Sequence, residues 1–228
     1  MATIDEVAAS FASSLALLGD DVVDLSKMSG ADTRRESQAY LLARPLTSKP
    51  FTAPDLQRHF KRVWVLNAAF TVQERAQKLF VIAFDLRKDR NKVLKGGPWY
   101  FQRAPVVIHD YDGLKSPTAI QMDELFLWVK IRNIPPALEV KHTIMNIASV
   151  AGRFLEWDDK LFKASGAVRV HVAHQIAKPF FLTETLKLAP GVIEEISFFF
   201  ENLLGRCHDC GLIVHEHGTC QLAGKNAH

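Results

Sequence analysis

The stretch Lys78-Leu79-Phe80-Val81-Ile82-Ala83-Phe84, running into Asp85-Leu86-Arg87-Lys88-Asp89-Arg90-Asn91-Lys92-Val93-Leu94-Lys95 and closed by Gly96-Gly97-Pro98, decides the fold. Its first seven residues are a strand in which Phe80, Ile82 and Phe84 share one face and Leu79, Val81 and Ala83 the other. Both faces are apolar, so burial on both sides is expected, rather than rings offered to nucleic-acid bases. Asp85 stands where an N-cap belongs, and a helix is expected from there through Lys95 until the glycine–proline stop. Upstream, Tyr40-Leu41-Leu42-Ala43 reads as a strand closed by Arg44-Pro45. Ala53 to Lys61 reads as a helix with Pro54 in its first turn and Leu56 and Phe60 four apart. Val63-Trp64-Val65-Leu66 reads as the next strand, set off from Lys78 by the polar stretch Thr71 to Gln77. Downstream, Phe101 to His109 makes one more strand around Val106-Val107-Ile108. The order strand, helix, strand, strand, helix, strand predicts an α+β chain with an RRM-like body, the ferredoxin-like βαββαβ arrangement of the RNA recognition motif, over residues 38–120.

A second β-rich half is expected over residues 121–200. Leu125 to Ile131 is a strand broken by Pro135-Pro136, and Glu139 to Ala151 a helix with Val140, Ile144, Ile147 and Ala148 on one face and Gly152 as its stop. Phe154 to Trp157, Val168 to Val172 and Val192 to Phe200 are further strands. Whether this half extends the first sheet or builds its own is open. The four tryptophans, Trp64, Trp99, Trp128 and Trp157, are expected to pack in the core or on a sheet face. Residues 1–37 read as an arm, in which Ile4, Val7, Phe11, Leu15 and Leu18 form one helix face before a polar connector from Ser26 to Ser37.

Composition narrows the class. With 48% hydrophobic and 23% charged residues, the 228-residue chain can bury a core and is not disordered. No apolar run approaches the roughly 20 residues needed to cross a bilayer. Three cysteines are too few for a disulfide scaffold, and the start Met1-Ala2-Thr3-Ile4-Asp5-Glu6 lacks a basic signal region. An intracellular protein, nuclear or cytoplasmic, without a membrane partner is expected.

Charge is unevenly placed. The net charge of +3 resolves into −3 over residues 1–48 (4 basic, 7 acidic), +7 over 49–120 (13 and 6), zero over 121–200 (9 and 9) and −1 over 201–228 (2 and 3). The excess is densest on the helix carrying Arg87, Lys88, Arg90, Lys92 and Lys95. A localised cationic surface is the footprint of a polyanion binder, because neutralising phosphates releases counterions. These five residues are the candidate nucleic-acid contacts.

The sharpest motif lies near the end: Cys207-x2-Cys210-x4-His215-x4-Cys220. All three cysteines of the chain fall within 14 residues. Two thiolates held by a two-residue gap share one face of a metal, and a short loop returns an imidazole and a third thiolate. Cys207, Cys210, His215 and Cys220 thus predict one structural Zn²⁺; His217 is the rival fourth ligand, and His208 is expected to face solvent. Four protein ligands close the site and argue against catalysis. The deaminase signature is missing, since no histidine has glutamate two residues on and Arg206 precedes Cys207 where proline is needed. No H-E-x-x-H or G-x-S-x-G occurs. No enzymatic activity is expected.

Taken in order, Gly97-Pro98-Trp99, Leu127-Trp128-Val129-Lys130-Ile131-Arg132-Asn133-Ile134-Pro135, Val168-Arg169-Val170-His171-Val172 with Lys178-Pro179-Phe180, and Phe200-Glu201-Asn202-Leu203 ahead of the cysteines resemble a large plant family of retrotransposon-derived, gag-like proteins. These are akin to the first open-reading-frame product of LINE-type elements and join a GPW-bearing domain to a CCHC zinc knuckle. The resemblance covers roughly residues 38–220 and implies a zinc-binding, nucleic-acid-binding protein without enzymatic activity; single-stranded RNA is the expected partner. The chain departs from the family at His208, where an aromatic residue is usual, and at Val214, where glycine is usual. With only Arg206 and Lys225 nearby, the knuckle is expected to grip RNA weakly by itself. The alternative expectation is an assembly module that self-associates and carries a purely structural zinc.

Overall fold

The computed structural model describes residues 39–213 and Cys220. The expected N-terminal helix and its connector lie outside them, as do His215 and His217. Among the described residues the chain is α+β, with two five-stranded antiparallel sheets and four α-helices. None of these helices is long and apolar enough to cross a membrane.

The first sheet is built from β1 (Ala39–Pro45), β2 (Phe70–Ala76), β3 (Leu79–Phe84), β4 (Trp99–Phe101) and β5 (Ala104–Tyr111), in the order β2-β3-β1-β5-β4. Helices α1 (Ala53–Val63) and α2 (Arg87–Lys95) follow β1 and β3. Thr52 caps α1, its hydroxyl accepting from the Asp55 amide while the Asp55 carboxylate accepts from the Thr52 amide. This capping box starts the helix on its own. Leu56 and Phe60 bury the apolar face of α1 against Leu41, Phe80, Ile82, Phe84 and Val106.

The chain departs from the expectation at Val63–Leu66, which is not a strand. Val63 ends α1, and Trp64 stacks on Phe60 with ring centroids 4.0 Å apart. That i,i+4 aromatic pair prolongs the buried helix face, so tertiary packing overrides the strand preference of the run. The strand lies in the stretch read as polar: in β2, Phe70 and Val72 point to the core while Thr71, Gln73 and Glu74 face water. Asp85 is not the cap of α2 either, since its amide donates to the Ala69 carbonyl and the helix begins after Leu86 with no side-chain cap. The expected strand from Phe101 to His109 is a hairpin, β4 and β5, turning at Gln102 and Arg103.

Both faces of β3 are buried, as its composition suggested. Phe80, Ile82 and Phe84 meet the helices, and Leu79 and Val81 join a second cluster with Leu42, Val107, Tyr111 and Met122. The linker after β5 supplies Met122 and Ile120, and Ile176 from the second half completes the cover.

The second half builds its own sheet, which settles the open question. It comprises β6 (Glu124–Arg132), β7 (Arg153–Trp157), β8 (Val168–Gln175), β9 (Thr183–Ala189) and β10 (Val192–Phe200), in the order β7-β8-β6-β10-β9. Position for position, this repeats the strand order of the first sheet. Helix α3 (Lys141–Ala151) packs Ile144, Ile147, Ala148 and Ala151 onto Leu127, Val129 and Val170. Val140, expected on that face, is the exposed N-cap. A short helix α4 (Asp159–Ser165), capped by Asp158, and β9 add to the elements expected of this half.

The halves differ in one place that matters. In the first, α2 bridges β3 to the β4–β5 hairpin. In the second, the equivalent connection, residues 176–182, has no helix, although its Phe180 is fully buried. The segment carrying the cysteines packs there instead. None of the four tryptophans is exposed.

Candidate metal centre and nucleic-acid interface

After β10 the chain returns along the second half and turns at the cysteines. The Gly211 amide donates to the Cys207 carbonyl at 3.0 Å, and the Cys207 amide to the Leu212 carbonyl at 2.8 Å. These bonds close the C-x2-C loop. Gly211 has a φ of +74°, a conformation favouring glycine, and a Cβ there would meet Pro179 Cβ at 3.0 Å. The close approach serves a clasp: Phe180 N–H donates to Gly211 O, and Arg206 Nε to Phe180 O, both at 2.9 Å. Ile213, only 7% exposed, enters the same apolar cluster as Phe180 and Ile196. The cysteine loop is therefore fastened to the body.

The sulfurs of Cys207, Cys210 and Cys220 all lie within 4.8 Å of one another, the one such cluster of three or more potential ligands among the described residues. In a tetrahedral site with metal–sulfur bonds of about 2.3 Å, sulfurs are about 3.8 Å apart, so closure onto an ion needs shifts of at most about 1 Å. A hydrogen bond involving the Leu212 backbone favours the Cys210 thiolate, but burial and the neighbouring Cys207 and Cys220 thiols outweigh it and push its pKa up. Crowded thiols that resist joint ionisation are what a thiophilic cation relieves, so the donor set fits a metal ion. His215, the expected fourth ligand, lies outside the described residues. His208 is exposed, as expected.

The five cations of α2 share one helix but not one fate. Arg90 donates to the Tyr40 carbonyl and pairs with Asp110. Lys92 donates to the Val65 carbonyl. Lys95 meets Glu156 of β7 at 3.2 Å. Arg87 and Lys88 are exposed, with no partner among the described residues. Three of the five thus tie the helix to the body. On the same helix Asp89 is buried, accepting from Asn67 N, Asn67 Nδ2 and Ala68 N at 2.8–2.9 Å. Burial alone would raise its pKa; these hydrogen bonds outweigh that and hold the carboxyl below its usual range.

Residues 35–118 match a domain of unknown function, DUF4283. The match takes in the whole first sheet with α1 and α2 and stops ahead of the second half. No curated protein and no solved structure matches the chain.

One surface of the DUF4283 segment has no counterpart in the linear charge pattern. Arg44 at the end of β1 and Lys49, Lys78 and Arg103 from three separate connections line a cleft of about 810 Å³ that Gly205 and Ile213 of the cysteine-bearing segment wall on one side. Up to 59 residues separate these cations (Arg44 to Arg103), so no spacing announces them. Their shared location at strand ends is a signal only once the strand order is known.

Proposed function

We propose that the chain is a non-enzymatic, zinc-binding, nucleic-acid-binding protein of plant retrotransposon origin that acts on single-stranded RNA. The observation that carries the reading is the fastening of a metal-compatible cysteine cluster directly beside a cation-lined surface of the DUF4283 segment. Zinc suits three thiolates and an imidazole, with Cys207, Cys210, His215 and Cys220 as its ligands. The resemblance to gag-like proteins and the DUF4283 match support the origin.

The body is read as RRM-like. Leaving out β4, the first sheet has the order β2-β3-β1-β5, with a helix after β1 and another after β3, the arrangement of a split βαβ unit. An RNA recognition motif lays bases on the sheet face opposite its helices. Here Met122, Ile120 and Ile176 cover that face, so RNA is contacted elsewhere. Arg87 and Lys88 supply phosphate contacts from α2, while Arg90, Lys92 and Lys95 contribute mainly to the local field.

The same internal pairing of Arg90, Lys92 and Lys95 favours a second reading, an assembly module with structural zinc. Fluorescence anisotropy of a labelled single-stranded RNA at about 50 mM salt, read beside light scattering, separates the two. Saturable binding by a chain of unchanged mass supports the first, and concentration-dependent mass without RNA binding supports the second.

A further inference from the structure

We propose that the cleft lined by Arg44, Lys49, Lys78 and Arg103 is a track for the phosphodiester backbone of a single nucleic-acid strand. The proposal rests on the nucleic-acid reading above and says where the strand lies.

Its electrostatics differ from those of α2. Among the described residues no carboxylate lines the cleft, and Arg44, Lys49 and Arg103 are exposed and take no part in an ion pair. Lys78 is held in place, its Nζ donating to the Thr47 carbonyl while its amide donates to Glu74 Oε1. Cations left unpaired along a concave surface focus potential and attract a polyanion.

The backbone points the same way. Gln102 and Arg103 form the two-residue turn between β4 and β5, with φ of 50° and 69°, and Lys78 in the β2–β3 turn has φ of 56°. Such turns ordinarily take asparagine or glycine at left-handed positions. Placing long polar side chains there retains strain, which tends to persist where a side chain is being aimed at a ligand. On β1 the alternation tells a consistent story. Leu42 and Arg44 share a face; Leu42 is fully covered, whereas Arg44 is exposed, so the cover of the first sheet ends where the cleft begins.

A nucleic-acid strand suits the cleft better than an acidic peptide. Amides of Gln77 and Gln102 and hydroxyls of Thr47 and Ser48 intersperse the cations, offering donors and acceptors to ribose hydroxyls and base edges. The wall at Gly205 and Ile213 brings the cysteine loop alongside, so one strand can run past both.

The test uses the full metal-loaded chain and a labelled uridine-rich RNA oligonucleotide. Each phosphate neutralised contributes about 0.7 to the slope of log affinity against log salt on single strands. The triple variant R44Q/K49Q/R103Q is therefore expected to lose about 2 from that slope and to bind about a hundredfold more weakly at roughly 0.1 M salt. The charge-conserving R44K/K49R/R103K retains the slope, and R87Q/K88Q on α2, with two phosphate contacts at most, loses no more than about 1.4 from the slope and about 25-fold in affinity. A triple variant that folds and binds like the parent, or an equal loss from R87Q/K88Q, overturns the assignment. So does a poly-glutamate peptide that competes as well as unlabelled RNA. If the parent chain binds no oligonucleotide at any salt, the nucleic-acid reading fails and takes the track with it.

Discussion

The clasp between the cysteine loop and the second half would join the binding of an ion by the three thiols to folding in one equilibrium, and Ile213→Ala measures the link. Ile213 is 7% exposed and packs in the cluster that holds Phe180, Ile196 and Phe198. Truncating a buried isoleucine to alanine costs about 2–5 kcal/mol through lost burial and the residual cavity. A value near the middle of that range, about 3 kcal/mol, is expected for Ile213. Ile213 is three residues past Cys210 and one past Leu212, whose carbonyl accepts from the Cys207 amide. If docking of this segment preorganises the thiols, the same 3 kcal/mol appears in metal affinity, about a hundredfold at 1.4 kcal/mol per decade. Urea unfolding followed by tryptophan fluorescence, with and without chelator, reads the stability. Competition against a chromophoric zinc chelator reads the affinity. Ile193→Ala, at a 63% exposed position, is the neutral control. A chain whose urea midpoint ignores the chelator, or an Ile213→Ala variant with parental zinc affinity, would refute the coupling.

Two further predictions concern titration. Burial lowers the pKa of His109 and His171, against opposing contributions from Glu124 and Glu156 respectively. As pH falls below about 6.5 the unfolded chain takes up protons that these folded imidazoles refuse, so stability is expected to decline from pH 7.5 to 5.5. Urea midpoints across that range check it, and His109→Gln/His171→Gln should flatten the profile; a flat parental profile contradicts it. Asp89 has the same sign in a more acidic window, since its depressed pKa gives stability that is present above the usual carboxylate range and lost as pH falls through the lowered value. Asp89→Asn removes the charge that receives three hydrogen bonds and is expected to cost about 2 kcal/mol at neutral pH. A loss under 0.5 kcal/mol in chemical denaturation would show that the asparagine amide serves as well.

How far the residues reveal the molecule depends on how local each cause is. β3, β6 and β10 are dense in β-branched and aromatic side chains and can be read directly. β2 and β9 are edge strands with wet positions, and nothing in Phe70–Ala76 outweighs the more apolar Val63–Leu66 until Trp64 is seen on Phe60. The β4–β5 hairpin is hidden because Gln102-Arg103 is not a turn signature. The three thiols announce themselves by spacing, whereas the clasp does not, since Phe180 and Gly211 meet only through the fold. The charge of α2 is legible, but its partners are not: Lys95 finds Glu156 61 residues away.

The central claim, a metal-fastened cationic protein that holds single-stranded RNA, is tested most directly by titrating one labelled oligonucleotide from about 50 to 300 mM salt, with zinc loaded and then stripped. The account predicts an affinity that falls steeply and linearly on logarithmic axes and weakens on stripping, as the wall of the cleft loosens. Affinity indifferent to salt, or no binding by the zinc-loaded chain in dilute buffer, would contradict it.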